Sequence, residues 1–473
     1  MPMDRTALTA EVFGGRMPAR AGDLVIESHG ITPVPLGNRF GRPVRLLTVF
    51  FAPNLTMTAV FSGTLGAGLG LGFGTGLVAL LLGTILGAIP VAYLATWGPR
   101  TGTAQLPLAR LPFRGTVVLP GLVQWFNSIA WDALVGLFGG DALAQLVGMP
   151  FWLAVAIVLL LQCAVGVLGY EVIHRVQAVM TAIIAVFFVV LTVRLLSGHA
   201  VVVDNSVSGA DLVGAFLLFS TIALSLSISW ASYASDFSRY LPPTTSRSRA
   251  FLYTLLGVTL SFVWGEALGL AAGQTLSDQT TAGISTLLGG GVLGGVALLV
   301  IALTAVSSNA MNDYSGSLAL QTVGVRLRRP VSAVVVTVIA FALILWMHSG
   351  DLASKFEDVL LVIGYWIPPF VGVVVIDWWI RTKRGRRFDV LADAAKPQAG
   401  WPALVAFTVG CAAAVPFMNT SIFTGPVAAA AHGADLAYYV GLVVSGAVYS
   451  LLRVLVRSRG GAELGEGTSE RGQ

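Results

Sequence analysis

Four hydroxyl residues, Thr221, Ser225, Ser229 and Ser232, recur at intervals of four, four and three in an otherwise apolar run. At about 100° per residue they form one helical stripe. The run continues into Asp236, Arg239 and Pro242. Polar groups at membrane depth are costly, so such a cluster marks a cavity, a substrate path or a seam between helices. Taken singly, each serine is also explained by bonding back to a carbonyl of its own helix. Asp236 and Arg239, three apart, read as an ion pair or a helix end.

Three further apolar runs are interrupted in the same way. Phe51-Ala52-Pro53-Asn54-Leu55-Thr56 places a proline inside the first run. Proline removes a backbone donor and clashes with the preceding turn, so an unwound segment with free carbonyls is expected there. In the third run, Gln124, Ser128 and Trp131 share a face, and Trp125, Ser128 and Asp132 share an overlapping one. Aromatic rings beside amides suit a flat, hydrogen-bonding ligand. Asp132 is not a belt residue, because an ionised carboxylate at mid-bilayer costs about 2.5–3.5 kcal/mol. In the eighth run, Thr304, Ser307, Ser308, Asn312 and Ser315 lie on one broad face beside Asn309 and Asp313. Hydroxyl oxygens facing free carbonyls can cage a hard cation, whereas the plainer reading is a seam glued by serines. Glu266 has no local partner and stands as a proton-coupling or packing residue.

The elements that hold these groups are membrane helices. The 473 residues are 55% hydrophobic and 11% charged, against about a quarter charged in soluble domains. Apolar runs are expected to span at 44–69, 74–96, 116–140, 149–169, 175–197, 211–233, 250–273, 285–312, 331–348, 356–380, 402–418 and 436–456, each near the length that crosses a bilayer. Of the 28 lysines and arginines, only Arg194 and Lys355 fall on the second face of this arrangement. The positive-inside rule then puts both termini in the cytoplasm. The net charge of +5 therefore marks topology, and nucleic acid is not an expected partner. Cys163 and Cys411 lie in apolar runs and form no CxxC, and the five histidines are scattered, so neither a disulfide nor a metal cluster is expected.

The glycine-rich stretch 63–76 reads as close helix packing followed by a tight turn. Interrupted runs hold corresponding places in two sets of five, 1–5 and 6–10, which is the pattern of an inverted repeat around a midplane site. The chain is accordingly divided into a cytoplasmic tail (1–43), a first five-helix repeat (44–200), a second repeat (201–400), two additional helices (401–457) and a disordered cytoplasmic tail (458–473). No HExxH, paired-aspartate motif or long cytoplasmic loop supports an enzyme. A channel would not need two symmetric breaks.

At FFAPNLTMTAVFSGTLG (50–66), GPRTGTAQLPLARLPFRG (98–115), WASYASDFSRYLP (230–242) and SSNAMNDYSGSL (307–318) the chain resembles the nucleobase–cation symporter-1 family, in its purine–cytosine permease branch; WIPPFVGVVVIDWW (366–379) is a weaker echo. The resemblance implies an all-α, twelve-helix LeuT-like fold, a five-plus-five inverted repeat with two C-terminal helices, in the inner (plasma) membrane. It implies cation-coupled import of a nucleobase, with a hydantoin, allantoin, a hydroxymethylpyrimidine or a vitamin precursor as alternatives. Carried over, Trp125 is the stacking platform, flanked by Asn54, Gln124 and Ser128. Asn309, Asn312 and Asp313 supply bonding groups, and Ser225, Leu226, Ser227 and Ser229 line a break in the sixth helix. Sodium would take the carbonyls of Ala52, Leu55 and Thr304 and the hydroxyls of Ser307 and Ser308. The chain departs from some relatives in carrying Leu226–Ser227 where they place an aromatic, leaving Trp230 as the nearest substitute. The serine pair favours sodium over protons, with Asp132, Glu266 and Asp313 as the proton carriers otherwise. No cofactor beyond the coupling cation is expected.

Overall fold

A computed structural model describes residues 30–167, 170–198, 200–276, 280–325, 329–383 and 400–466. Most of the expected N-terminal tail and the end of the C-terminal one lie outside the described residues. Helices account for the architecture, in the order α1 (Arg45–Phe51), α2 (Met57–Gly68), α3 (Phe73–Ala95), α4 (Trp97–Thr101), α5 (Gln105–Phe113), α6 (Val118–Val147), α7 (Phe151–Val167), α8 (Tyr170–Gly198) and α9 (Gly209–Ile228). After these come α10 (Arg247–Thr275), α11 (Thr281–Leu287), α12 (Gly291–Val323), α13 (Arg329–His348), α14 (Leu352–Gly364), α15 (Ile367–Thr382), α16 (Trp401–Ala414), α17 (Pro426–Ala430) and α18 (Ala437–Glu466).

Among the described residues seven helical stretches are long and apolar enough to cross a membrane, and the pair Gln105–Val147 and Phe151–Gly166, bent by 119°, adds one more. Val334–His348 and Trp401–Phe417 are shorter apolar helices. Length falls short where proline divides a run. Pro53 separates α1 from α2 in this way, whereas α14 and α15, despite the turn at Tyr365–Trp366, together make one of the seven crossing stretches, Leu352–Thr382.

The helices gather into two groups. In one, α2 and α1 pack along α10, and α3 packs along α9 and α10. In the other, α12 packs most extensively on α6 and also on α7, with α13 against both α6 and α7. α18 lies beside α15 and α16 at the flank. Glycine determines how closely the first group closes. A Cβ at Gly269 would lie 1.8 Å from the Val60 carbonyl oxygen, and one at Gly63 would lie 2.1 Å from that of Glu266. Gly83 is held as tightly, 1.9 Å from the Ser220 carbonyl oxygen. The 63–76 stretch thus does both things expected of it: Gly63, Gly66 and Gly76 admit a neighbour, and Gly70 turns the chain at φ +81°.

Two differences from the expected boundaries bear on the site. The sixth helix runs unbroken through Ser225 to Ile228 and yields only at Ser229, where 3-10 turns (Ser229–Ser232, Ala234–Phe237) replace it. No proline or glycine lies between Ser225 and Ser232 to force an earlier break. The eighth helix extends to Val323 rather than 312, because the polar face of SSNAMNDYSGS is packed against α6 instead of ending the helix.

Candidate functional site

The chain leaves helix after Phe51 and resumes at Met57, where Thr56 caps α2 by accepting from Ala59 N at 3.4 Å. Between the half-helices, the Ala52 and Leu55 carbonyls accept no hydrogen bond from the described residues. The Pro53 carbonyl accepts one from the Ser308 hydroxyl of α12, at 2.8 Å. The break and the serine pair, 255 residues apart in sequence, therefore meet. Their other hydroxyls are turned inward: Ser307 donates to the Thr304 carbonyl at 3.1 Å and Thr304 to Val300 at 2.7 Å. Asn54 spends its amide N–H on the Phe50 carbonyl at 2.6 Å, tying the break to α1.

On α6, the Ser128 hydroxyl donates to the Gln124 carbonyl at 3.1 Å, and Asn127 Nδ2 reaches Gln124 Oε1 at 3.5 Å. The N–H groups of Gln124 Nε2, Trp125 Nε1 and Trp131 Nε1 are buried without an acceptor among the described residues. Trp125 is half-buried, its ring tilted on Phe126 at 5.1 Å. Gly316 of α12 faces it: a Cβ there would lie 3.0 Å from Ser128 Oγ and 4.0 Å from Trp125 Cδ1. The polar faces of the third and eighth runs are thus brought together, as their sequences lead one to expect. Asn309 is the centre of that contact. Its Nδ2 donates to Gln162 Oε1 at 2.8 Å and to the Asp132 carbonyl at 3.0 Å, and its Oδ1 accepts from Asn312 at 3.2 Å. Asp132 and Asp313 lie side by side next to it.

The serine stripe of the sixth helix does not converge on this face. Thr221 donates to the Asp435 carbonyl at 2.7 Å, and Ser225 to the Leu360 carbonyl at 3.2 Å while accepting from Tyr438 at 2.7 Å. Ser227 points at Gly87 of α3 and bonds back to Ala223 and Leu224, and Ser229 bonds back to Leu226. Hydroxyls in an apolar interior take whichever carbonyl is nearest, which spacing alone does not reveal. Leu226 is fully buried. Trp230 stands instead at the break, its ring edge-on to Phe50 at 5.4 Å and tilted on Tyr233 at 5.0 Å. Asp236 accepts from Gln105 N at 2.8 Å, and Arg239 donates to the Gly30 carbonyl at 2.6 Å and the Tyr314 hydroxyl at 2.8 Å. Glu266 lies apart, accepting from Thr84 Oγ1 at 3.0 Å.

Gln162 and Gln177 went unremarked in the sequence. Gln177 Nε2 donates to the Ser307 carbonyl at 2.7 Å. The signal was a single amide in each apolar run, a group that must find partners in hydrocarbon. A cavity of about 400 Å³ opens on another face of α6, lined by Asn127, Tyr365, Trp366, Cys411 and Thr420 among others.

An interrupted helix set against a polar face in an all-helical membrane protein is an arrangement that secondary transporters use. The chain belongs to the family described as permease for cytosine/purines, uracil, thiamine, allantoin, whose pattern matches residues 33–441. It is 24% identical to the putative purine-cytosine permease YxlA of Bacillus subtilis over 90% of this chain and 96% of that one. It is 26% identical to the purine-cytosine permease fcyB of Emericella nidulans, over 92% of this chain and 89% of that one. Its fold is similar to that of Mhp1, a nucleobase-cation-symport-1 family transporter in a closed conformation with bromovinylhydantoin bound: TM-score 0.74, 16% identity, 92% of this chain and 97% of that one.

Proposed function

We propose that the chain is a secondary active transporter that imports a nucleobase of the cytosine or purine type, coupled to a sodium gradient by alternating access. The observation that carries this reading is the Ser308–Pro53 contact, which joins the break between α1 and α2 to the polar face of α12. Sodium is a hard cation that takes oxygen ligands, and the unbonded carbonyls of Ala52 and Leu55 are oxygens already stripped of partners. With the carbonyl of Thr304 and the hydroxyls of Ser307 and Ser308 they form the proposed cation site. The heterocycle lies on Trp125. The unpartnered N–H groups of Gln124 and Trp125 serve its acceptors, Asn309 and Asn312 serve its polar edge, and Asn54 holds the break beside it. Asp313 and Ser128 complete the surroundings. Twelve spans in a five-plus-five inverted repeat, two additional helices and cytoplasmic termini in the inner membrane are the topology that goes with this reading.

A hydantoin is the second reading, since the Mhp1 structure carries bromovinylhydantoin. Uptake of labelled cytosine in cells expressing the chain, competed with purines, pyrimidines, hydantoins, allantoin and vitamin precursors, separates the two. Competition by cytosine or purines is expected. Competition by hydantoins alone would replace the nucleobase. Uptake indifferent to sodium would remove the cation site.

A further inference from the structure

Asp132 of α6 and Asp313 of α12 place two carboxyls within hydrogen-bond reach of each other in the interior of the second helix group. All four carboxyl oxygens are buried, and none receives a hydrogen bond from the described residues. Among the described residues, no arginine, lysine or histidine acts on either. Asn312 and Gln162 stand beside Asp132; Cys163 of α7 and Tyr233, beyond α9, are the other titratable groups that sense the pair, and Thr337 of α13 backs Cys163. Two carboxylates so placed repel in a low dielectric, and neither can donate to the other. One proton removes both defects, because the protonated acid donates to its neighbour. A divalent metal is a poorer occupant, since no group of three or more His, Cys, Asp or Glu among the described residues could hold one.

The pair is also wired to the ligand face. Asn312 Nδ2 donates to Asn309 Oδ1, Asn309 Nδ2 donates to Gln162 Oε1, and Gln162 Nε2 is left unpartnered beside Asp132. An amide chain thus runs from Asn312 to the acid pair. We propose that Asp132 and Asp313 form a one-proton binding site whose occupancy is linked to substrate binding through Asn312, Asn309 and Gln162. The linkage rests on the reading of Asn312 as a substrate contact; the proton site does not. An amide N–H near a carboxylate supports its charge. A substrate that claims the N–H of Asn312 withdraws that support, so bound substrate and bound proton favour each other. Substrate affinity should rise as pH falls through the titration of the pair.

The test uses the full chain in lipid nanodiscs, in a Glu266→Gln background so that this other buried acid does not contribute. Infrared spectroscopy is expected to show a protonated-carboxyl band at neutral pH that disappears in Asp132→Asn and in Asp313→Asn. A band unchanged by both substitutions would overturn the proton site, whether or not any substrate has been found. Asparagine matches the shape and neutrality of the protonated acid, so both variants should accumulate as the parent does; their failure to fold would count against a neutral pair. Cytosine binding at saturating sodium is expected to weaken about tenfold as pH is raised in the parent, and to be independent of pH in Asp132→Asn. A pH dependence that survives in Asp132→Asn would overturn the linkage.

Discussion

The two helix groups are close-packed by different means. Where α2 meets α10 and α3 meets α9, a side chain at Gly269, Gly63 or Gly83 would strike main-chain oxygen at 1.8–2.1 Å. Around α6, α7 and α12, glycines meet side chains instead: Ala305 Cβ at 2.4 Å from Gly139, Val155 Cγ2 at 2.4 Å from Gly140, Asp313 Cβ at 2.9 Å from Gly166. That second seam is held by directed bonds of Asn309, Gln162 and Asn312. Main-chain oxygen, like the Cβ of Ala305 or Asp313, moves only with the backbone, whereas Val155 Cγ2 can turn away by a change of rotamer. The first group is therefore intolerant of volume, and the second of lost polarity.

Substitutions can break that contrast. Gly269→Val should cost about 3 kcal/mol or more, because the backbone itself must move, and little folded protein should elute on fluorescence-detected size exclusion. Gly140→Ala, which meets the Val155 Cγ2 methyl, should cost less than Gly269→Ala; equal losses would abolish the distinction. Asn309→Ala should cost about 2–3 kcal/mol by orphaning Gln162 Oε1 and Asn312 Nδ2, read as a fall in melting temperature. Ser227→Ala in the first group, where the hydroxyl only bonds back to its own helix, should change it little.

A third prediction concerns a region outside both groups. Asp435 accepts from Asn419 N at 2.9 Å, from Ala437 N at 2.9 Å and from the Tyr365 hydroxyl. Burial nevertheless pushes its carboxyl up to about 6, above about 3.9 for an unfolded chain. The folded state then binds the proton more tightly. Its contribution is fully present below about pH 4 and is lost as pH rises through about 6. Stability measured by thermal unfolding should fall by about 2 kcal/mol or less over that window, and Asp435→Asn should flatten the profile. A smaller effect than that of Asn309→Ala is expected where the groups touch. Ser308→Ala should raise the sodium needed for half-maximal uptake about tenfold, or about 1.4 kcal/mol.

What could be read from the chain follows the same division. Pro53 announces its break because a missing N–H acts locally. The facing of α6 and α12 was legible because amides and acids on one stripe must be buried against something polar. The destinations of the serines were not, since Ser225 and Ser227 differ only in which neighbour arrives, Tyr438 or Gly87. Nor was the yielding point of the sixth helix, which no residue between Ser225 and Ser232 dictates. Gln162 has no local partner in the sequence, and its role depends on Asn309, 147 positions away.

The tight glycine seam also restricts how this chain can vary over time. Any single-base change in a glycine codon that alters the amino acid adds a Cβ. Gly63, Gly83 and Gly269 therefore have no neighbouring allele that fits without displacing main chain. Gly74, on the same helix as Gly83 but with nothing within 4 Å of an added Cβ, is free to drift. A saturation library selected for folded protein should record that difference as an empty column at Gly83 and a filled one at Gly74.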